Sequence, residues 1–98
     1  MALYIHLVRM TQEGATKIRE LSAVYSRWRN FVESLGGKPI CVAGCFGEYD
    51  FVAVVDYPSE SVAMKSAGYA AATGSMQTQT LPACPIEDFL KVMSELPR

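Results

Sequence analysis

The pattern of hydrophobic and polar positions over residues 2–10, at the start of the chain, alternates between two faces with a period of two. Such alternation is typical of a β-strand with two different faces. One face carries Leu3, Ile5 and Leu7, and the other carries Tyr4, His6 and Val8. The sequence therefore predicts a first strand here, and we expect its wholly aliphatic face to pack against helices.

A period of three to four residues replaces the period of two between Thr11 and Gly36-Gly37. The apolar residues of that stretch form one stripe, which consists of Ile18, Leu21, Tyr25, Trp28, Val32 and Leu35. This spacing predicts a long amphipathic helix. Thr11 is suited to cap its first turn, and the glycine pair favours a left-handed end because glycine adopts a positive φ without strain.

Two strand-like runs meet at the turn Gly47-Glu48-Tyr49-Asp50. Residues 39–46 precede the turn and residues 51–56 follow it, so the two runs are predicted to pair as an antiparallel hairpin. The second run is apolar on both faces, with Phe51, Ala53 and Val55 on one and Val52 and Val54 on the other. A strand of this kind is expected at the centre of a sheet.

The rest of the chain predicts one more helix, one more strand and a terminal helix. Ser59 is suited to cap a helix that runs to about Thr73, and the small side chains of that helix let it lie close to a sheet. Residues 76–81 mix β-branched and polar side chains in the manner of an edge strand. Residues 86–96 place apolar side chains at helical spacing, which predicts a short helix.

Together these patterns predict the order strand, helix, strand, strand, helix, strand, helix in a single domain over residues 1–98. This is the α+β, ferredoxin-like βαββαβ arrangement, a four-stranded antiparallel sheet with helices on one face. The other face would then carry the apolar side chains of the central strand into solvent. A second copy of the chain, packed sheet to sheet, is expected to cover that face, so the sequence predicts a homodimer.

Composition argues against several classes of partner. Nine basic and ten acidic residues give a formal net charge of -1, and because the basic residues are scattered, nucleic acid is not an expected partner. No apolar run is long enough to span a membrane, and the N-terminus lacks the pattern of a signal peptide. The cysteines, Cys41, Cys45 and Cys84, are odd in number, which fits reduced thiols in the cytoplasm.

Five short segments, spread over nearly the whole chain, form a recognisable set. They are Met1-Ala2-Leu3-Tyr4-Ile5, Thr11-x-x-Gly14, Gly36-Gly37, Gly47-Glu48-Tyr49-Asp50-Phe51-Val52 and Gln79-Thr80-Leu81. Together they resemble the GYD domain family, and the resemblance implies a dimeric α+β barrel. The wider group of such barrels includes cofactor-free monooxygenases, polyketide cyclases, isomerases, haem-degrading enzymes and ligand-sensing domains. Activity does not follow from this shared fold.

His6 is the single histidine and the first candidate for catalysis. If the aliphatic face of the first strand packs on the helices, its imidazole points into a cavity between the sheet and the partner chain. There it can act as a general base toward a bound phenol or enol, since the pKa of histidine lies near neutrality. The alternative is a histidine at the dimer interface, satisfied by a neighbouring side chain or by water.

The turn and the aromatic residues supply the other candidates. The carboxylate of Asp50 either hydrogen-bonds backbone amides of the hairpin or reaches the cavity as a base. Tyr49 either covers the end of the cavity or donates its hydroxyl group to a ligand. Four aromatic residues are candidates for lining a ligand site and equally for the core: Tyr4, Tyr25, Trp28 and Tyr69.

The sequence predicts neither a metal site nor a nucleotide cofactor. Cys41 and Cys45 lie four residues apart on a predicted strand, so their side chains would be about 13 Å apart, which is too far for one zinc ion. No glycine-rich phosphate loop follows a strand.

Three functions fit these features. The first is a homodimeric module that binds or senses a small, largely apolar molecule. The second is a cofactor-independent cyclase, isomerase or monooxygenase acting on an aromatic or polyketide-like substrate, with His6 as base and Tyr49 or Asp50 assisting. The third is a structural or interaction module without a pocket. A cavity that holds His6 and a second polar group favours the enzyme, and a carbon-lined cavity favours binding.

Overall fold

The order of helices and strands is that of a ferredoxin-like α+β protein. The computed structural model describes residues 2–98, so Met1 of the N-terminal motif lies outside the described residues. The elements are β1 (Ala2–Met10), α1 (Gln12–Thr16), a 3-10 turn (Ile18–Glu20), α2 (Leu21–Ser34), β2 (Lys38–Gly44), β3 (Phe51–Tyr57), α3 (Glu60–Ala72), β4 (Met76–Ala83) and α4 (Ile86–Ser94). The predicted βαββαβ order with a terminal helix is confirmed.

The four strands form one antiparallel sheet in the order β2-β3-β1-β4. β3 is central, as its two apolar faces predict, and β4 is an edge strand. His6 of β1 lies opposite Ala53 of β3 and opposite Thr80 of β4. Side chains at paired positions share one face of a sheet, so this register sets the surroundings of the histidine.

The predicted long helix is divided into α1, a 3-10 turn and α2. Thr11 caps α1, because its Oγ1 accepts a hydrogen bond from the Gly14 amide at 3.1 Å. The same hydroxyl donates to the carbonyl of Gly74 at 2.8 Å, and the Thr11 amide donates to the carbonyl of Ser75 at 2.9 Å. A side chain at Gly14 would collide with the Ser75 carbonyl. α1 is therefore fastened to the turn before β4, and the apolar stripe packs only from α2 onward.

The predicted ends of the two long helices are confirmed. α2 is followed by Gly36, whose φ of 88° is left-handed and therefore favours glycine. α3 begins after Ser59, whose Oγ accepts a hydrogen bond from the Val62 amide at 3.3 Å.

The core lies between the sheet and helices α2 and α3. Its buried apolar residues are Val8, Trp28, Val32, Ala53, Val55, Tyr57, Ala63, Ala70 and Met76. His6 lies on this covered face, where it is only 2% exposed. Leu3, Ile5 and Leu7 occupy the opposite, open face and are half-buried. The expectation that the aliphatic face packs on the helices is therefore wrong. The face that carries His6 can be buried instead, because its polar groups form hydrogen bonds with one another.

α4 lies apart from this core, and all of its residues are exposed. Its apolar side chains form a stripe at helical spacing: Ile86 is 61% exposed, Phe89 48%, Leu90 58% and Met93 40%. None of the helices within residues 2–98 has the length and apolar character needed to cross a membrane.

Candidate functional site

A chain of hydrogen bonds runs through the covered face of the sheet. His6 Nδ1 lies 2.8 Å from Thr80 Oγ1, and His6 Nε2 lies 2.5 Å from Tyr57 Oη. Tyr57 donates its hydroxyl proton to Ser66 Oγ at 2.7 Å. Trp28 Nε1 donates to the same Ser66 oxygen at 3.0 Å. The chain thus links β4, β1, β3, α3 and α2.

The position of the protons follows from this geometry. Tyr57 has one hydroxyl proton and donates it to Ser66, so its oxygen has to accept from His6 Nε2–H. In a neutral imidazole the other nitrogen, Nδ1, is then an acceptor, and it accepts the proton of Thr80. Both ring nitrogens of His6 are therefore occupied by protein partners.

Burial keeps this chain uncharged at neutral pH. Removal from water lowers the pKa of His6 to about 4, because burial disfavours the charged imidazolium. Burial also raises the pKa of Tyr57, and its hydrogen bond to Ser66 opposes part of that rise. Imidazole and phenol are thus neutral near pH 7, as the tautomer with the proton on Nε2 requires.

A narrow, partly open slot lies beside the chain, between the sheet and the two long helices. About 350 Å³ of empty space lies between its walls and its mouth, but only about 20 Å³ of it has room for the centre of a water molecule. Its carbon lining comes mainly from Val8, Phe51, Ala53, Ala67, Ala70 and Met76. That accessible space is about what one water molecule needs, so a larger ligand has to move the walls of the slot apart.

Besides the two aromatic residues Tyr25 and Trp28, three polar side chains line this slot: His6, Ser66 and Thr78. Thr78 Oγ1 is buried and has no hydrogen-bond partner within residues 2–98. A buried hydroxyl without a partner loses the hydrogen bonds that it makes in water, typically at a cost of about 1–3 kcal/mol. The lining includes no Asp, Glu, Lys or Arg side chain. The slot is therefore neutral and mostly apolar, with one unused hydroxyl.

Of the four aromatic candidates, the structure brings two to this slot. Tyr25 and Trp28 line it, with their ring centroids 6.1 Å apart. Tyr4 instead packs edge-on against Tyr57, at 5.8 Å between centroids, and faces a separate shallow opening. Tyr69 stacks on Phe31 at 4.6 Å and is not part of the lining.

Asp50 and Tyr49 lie at the hairpin and not in the slot. Asp50 Oδ2 accepts a hydrogen bond from the Met10 amide at 2.6 Å, and its own amide donates to the Val8 carbonyl at 2.8 Å. Tyr49 donates its hydroxyl proton to Gln79 Oε1 at 3.0 Å. These bonds tie the turn to β1 and β4, so the structure does not bring either side chain together with His6.

Sequence reasoning missed four residues of the site: Tyr57, Ser66, Thr78 and Thr80. Ser66 had a visible signal, because it lies on the buried stripe of α3 between Ala63 and Ala70, where a polar residue needs a partner. Tyr57 continues the inward alternation of β3 by one residue beyond the predicted strand end. The sequence gives only a weak signal for Thr78 and Thr80, because they alternate with glutamines along the edge strand β4 and both faces of that strand therefore look polar.

The described part of the chain offers no metal centre, since no three of its His, Cys, Asp and Glu side chains are grouped to hold an ion. The structure places Cys41 in β2 and Cys45 beyond the end of that strand. Cys41, Cys45 and Cys84 are all free thiols.

Comparison with known proteins identifies the family. No curated protein matches the chain. The family model described as GYD domain matches residues 4–93, which is nearly the whole chain. This match agrees with the ferredoxin-like fold and with the Gly47, Tyr49 and Asp50 turn, whose carboxylate anchors the central hairpin. The chain therefore belongs to the GYD domain family.

Proposed function

We propose that this protein is a homodimer that binds a small, largely apolar molecule in the slot between its sheet and its helices. The observation that carries the proposal is the buried Thr78 hydroxyl, which lines an apolar slot and has no partner within residues 2–98. A folded protein rarely leaves such a group unpaired. A ligand with one polar atom would supply the missing hydrogen bond and cover the carbon lining.

The open face of the sheet supports the homodimer. Its aliphatic side chains are Leu3, Ile5, Leu7, Val52, Val54 and Leu81. In a single chain they are only half-buried, and Leu81 is 37% exposed. A contiguous apolar surface of this kind is typical of an interface, and a second copy offers the same surface in return. The exposed stripe of α4 adds further apolar surface for the partner to cover.

A cofactor-independent enzyme is the second candidate, because His6 and further polar groups line the slot. The hydrogen bonds of these groups support an enzyme less than they support the binding of a small molecule. Both nitrogens of the imidazole are engaged with Thr80 and Tyr57, so His6 has no free lone pair for a substrate proton. The side chains of Tyr49 and Asp50 form hydrogen bonds at the hairpin, so neither is placed to assist His6.

The cytoplasm remains the proposed location. Its support is the three free thiols, which a reducing compartment preserves.

Trp28 provides a direct test of binding, because it is the single tryptophan and lines the slot. Its indole N–H signal in a proton–nitrogen correlation spectrum can be followed while small aromatic molecules, from toluene to acetophenone, are added. We expect a saturable shift with at least one of them. The absence of any shift across the panel would contradict the proposal.

A matched pair of alanine variants shows whether the ligand occupies the slot. Ala67 lines the slot, whereas Ala71 is an exposed residue of the same helix. Ala67→Leu should fill the slot and abolish the indole shift, and Ala71→Leu should leave it unchanged. An undiminished shift in Ala67→Leu would place the ligand elsewhere.

A further inference from the structure

The end of the chain, residues 84–98, forms an arm that leads away from the sheet and carries α4. The arm is joined to β4 through Cys84-Pro85, and Pro85 is extended, with φ −55° and ψ 147°. A residue before a proline also favours an extended backbone, so this connection directs α4 away from the sheet. The Cα radius of gyration is 15.0 Å, whereas a compact domain of this length has about 13 Å. The chain is accordingly elongated, with a longest dimension of 52 Å.

The helix of the arm has one wholly apolar side, which its own chain leaves uncovered. Six large side chains fall on one half of the helix circumference, and each is between 40% and 63% exposed: Ile86, Phe89, Leu90, Val92, Met93 and Leu96. α4 has nine residues, whereas a helix that stands alone in water generally needs about 12–15. A helix this short is therefore expected to depend on packing of its apolar side against another surface.

An open apolar hollow at the root of the arm joins this side of α4 to the open face of the sheet. Its walls are Pro82, Ala83, Cys84, Ile86 and Phe89. Ile86 and Phe89 also belong to the apolar side of α4, and Ala83 is paired with Leu3 of the open face. Paired residues share one face of a sheet. The open face, the hollow and the apolar side of α4 therefore form one continuous surface.

The surface area of the single chain indicates how much of it a partner would cover. The chain exposes 6585 Å², whereas a compact monomer of 10.8 kDa exposes about 5,500 Å². The excess of about 1,000 Å² is close to the area of about 800 Å² that each partner buries in a stable interface. An interface that includes the arm would therefore be of ordinary size.

The charges beside the apolar side of α4 favour a second copy of this chain over a membrane as the occupant. The polar side of residues 86–96 carries Glu87, Asp88 and Glu95 but only one basic residue, Lys91. Helices that lie in a membrane surface are rich in lysine and arginine there, which attract anionic headgroups. In a two-fold dimer the same surface of both chains meets, so a second copy offers apolar side chains to match.

We infer that α4 is an exchanged arm, whose apolar side packs on the partner subunit and not on its own chain. Each chain of the homodimer would then complete the packing of the other's last helix. This inference rests on the proposed function, because it extends the proposed interface from the open face of the sheet to the arm.

Two glutamine variants on opposite sides of α4 test the inference. Phe89→Gln removes an apolar side chain from the interface in both subunits, so the dimer should dissociate about tenfold more readily or more. Lys91→Gln changes the polar side and should leave the dissociation constant unchanged. Sedimentation of a dilution series measures both constants. A dissociation constant in Phe89→Gln equal to that of the unaltered protein would overturn the inference.

A mixed dimer of ¹³C-labelled and unlabelled chains shows directly which chain each arm contacts, without any substitution. We expect nuclear Overhauser effects between the ring protons of Phe89 in one chain and methyl groups of the other. A dimer in which the Phe89 ring contacts only its own chain, or only solvent, would overturn the inference and leave the proposed homodimer standing. An unaltered protein that is monomeric would overturn both.

Discussion

The two faces of the sheet differ in how their polar and aliphatic side chains are covered. The face under α2 and α3 buries His6, Tyr57 and Ser66 in a chain of hydrogen bonds. The open face is aliphatic, with residues such as Ile5 and Val54 only half-buried in a single chain. A sheet with one solvated face normally carries polar side chains on that face.

This contrast teaches that hydrophobicity alone does not decide which face of a strand is covered. Polar side chains can be buried when each finds a partner, and the covered face provides those partners in a continuous series. An aliphatic face can in turn remain uncovered by its own chain when another copy is available to cover it. The covered face is thus the site of the proposed ligand and the open face that of the proposed partner.

The largest expected effect comes from placing a charge on the open face. In the proposed homodimer the carboxylate of Val54→Asp would be buried between two sheets without a counterion, at a cost of several kcal/mol, so the dimer should dissociate. Sedimentation at micromolar concentration should show about twice the monomer mass for the unaltered protein and the monomer mass for the variant. Val54→Thr, which keeps the shape without a charge, should remain dimeric. An unaltered protein that sediments as a monomer would remove the basis for sheet-to-sheet packing.

The covered face should make stability depend on pH through His6. In the unfolded chain a histidine is protonated below a pKa of about 6.5, whereas in the folded protein the pKa is lowered to about 4. The free energy of unfolding should therefore fall by about 3 kcal/mol as the pH decreases from 6.5 to 4, because the unfolded state binds the extra proton. Urea unfolding at pH 7 and pH 4.5 measures most of this change.

His6→Gln is the control for the pH dependence, since glutamine does not titrate in this range. The variant should be less stable at pH 7, but its stability should decline less between pH 7 and pH 4.5. An equal decline in both proteins would show that His6 is not the group responsible.

The smallest expected effect distinguishes two threonines on the same face of β4. Thr78→Val removes a hydroxyl that has no partner among residues 2–98, so stability should stay the same or rise by up to about 1 kcal/mol. Thr80→Val removes the donor to His6 Nδ1, so stability should fall by about 1–3 kcal/mol. Urea unfolding of both variants measures the difference. A loss in Thr78→Val as large as that in Thr80→Val would mean that the Thr78 hydroxyl already has a partner.

The sequence predicted the fold well, because the fold depends on local periodicity. The period of two over residues 2–10 matches β1 to the residue, and the Ser59 cap and the Gly36 stop mark real helix ends. The division of the first helix could not be predicted, because it depends on contacts of Thr11 and Gly14 with Ser75, more than sixty residues away.

The candidate site was predicted only in part. His6, Tyr25 and Trp28 do line one slot, but it lies on the helix-covered face, whereas His6 was expected in a cavity on the open face. The histidine can be buried on the covered face because hydroxyl groups surround its imidazole there. Those hydroxyl groups belong to Tyr57, Ser66 and Thr80, which lie in three separate elements. Periodicity carries no information about such pairing, because each of these residues looks ordinary within its own segment.

The fastening of Thr11 and Gly14 onto Gly74 and Ser75 has a consequence for how the molecule loosens. Edge strands generally fray before central ones, and β4 is an edge strand that carries two of the hydroxyl groups discussed above. Its leading end is held by the residues that start α1. Fraying of β4 from that end must therefore also break the two hydrogen bonds that Thr11 donates to Gly74 and Ser75, so these remote contacts protect the wall of the slot.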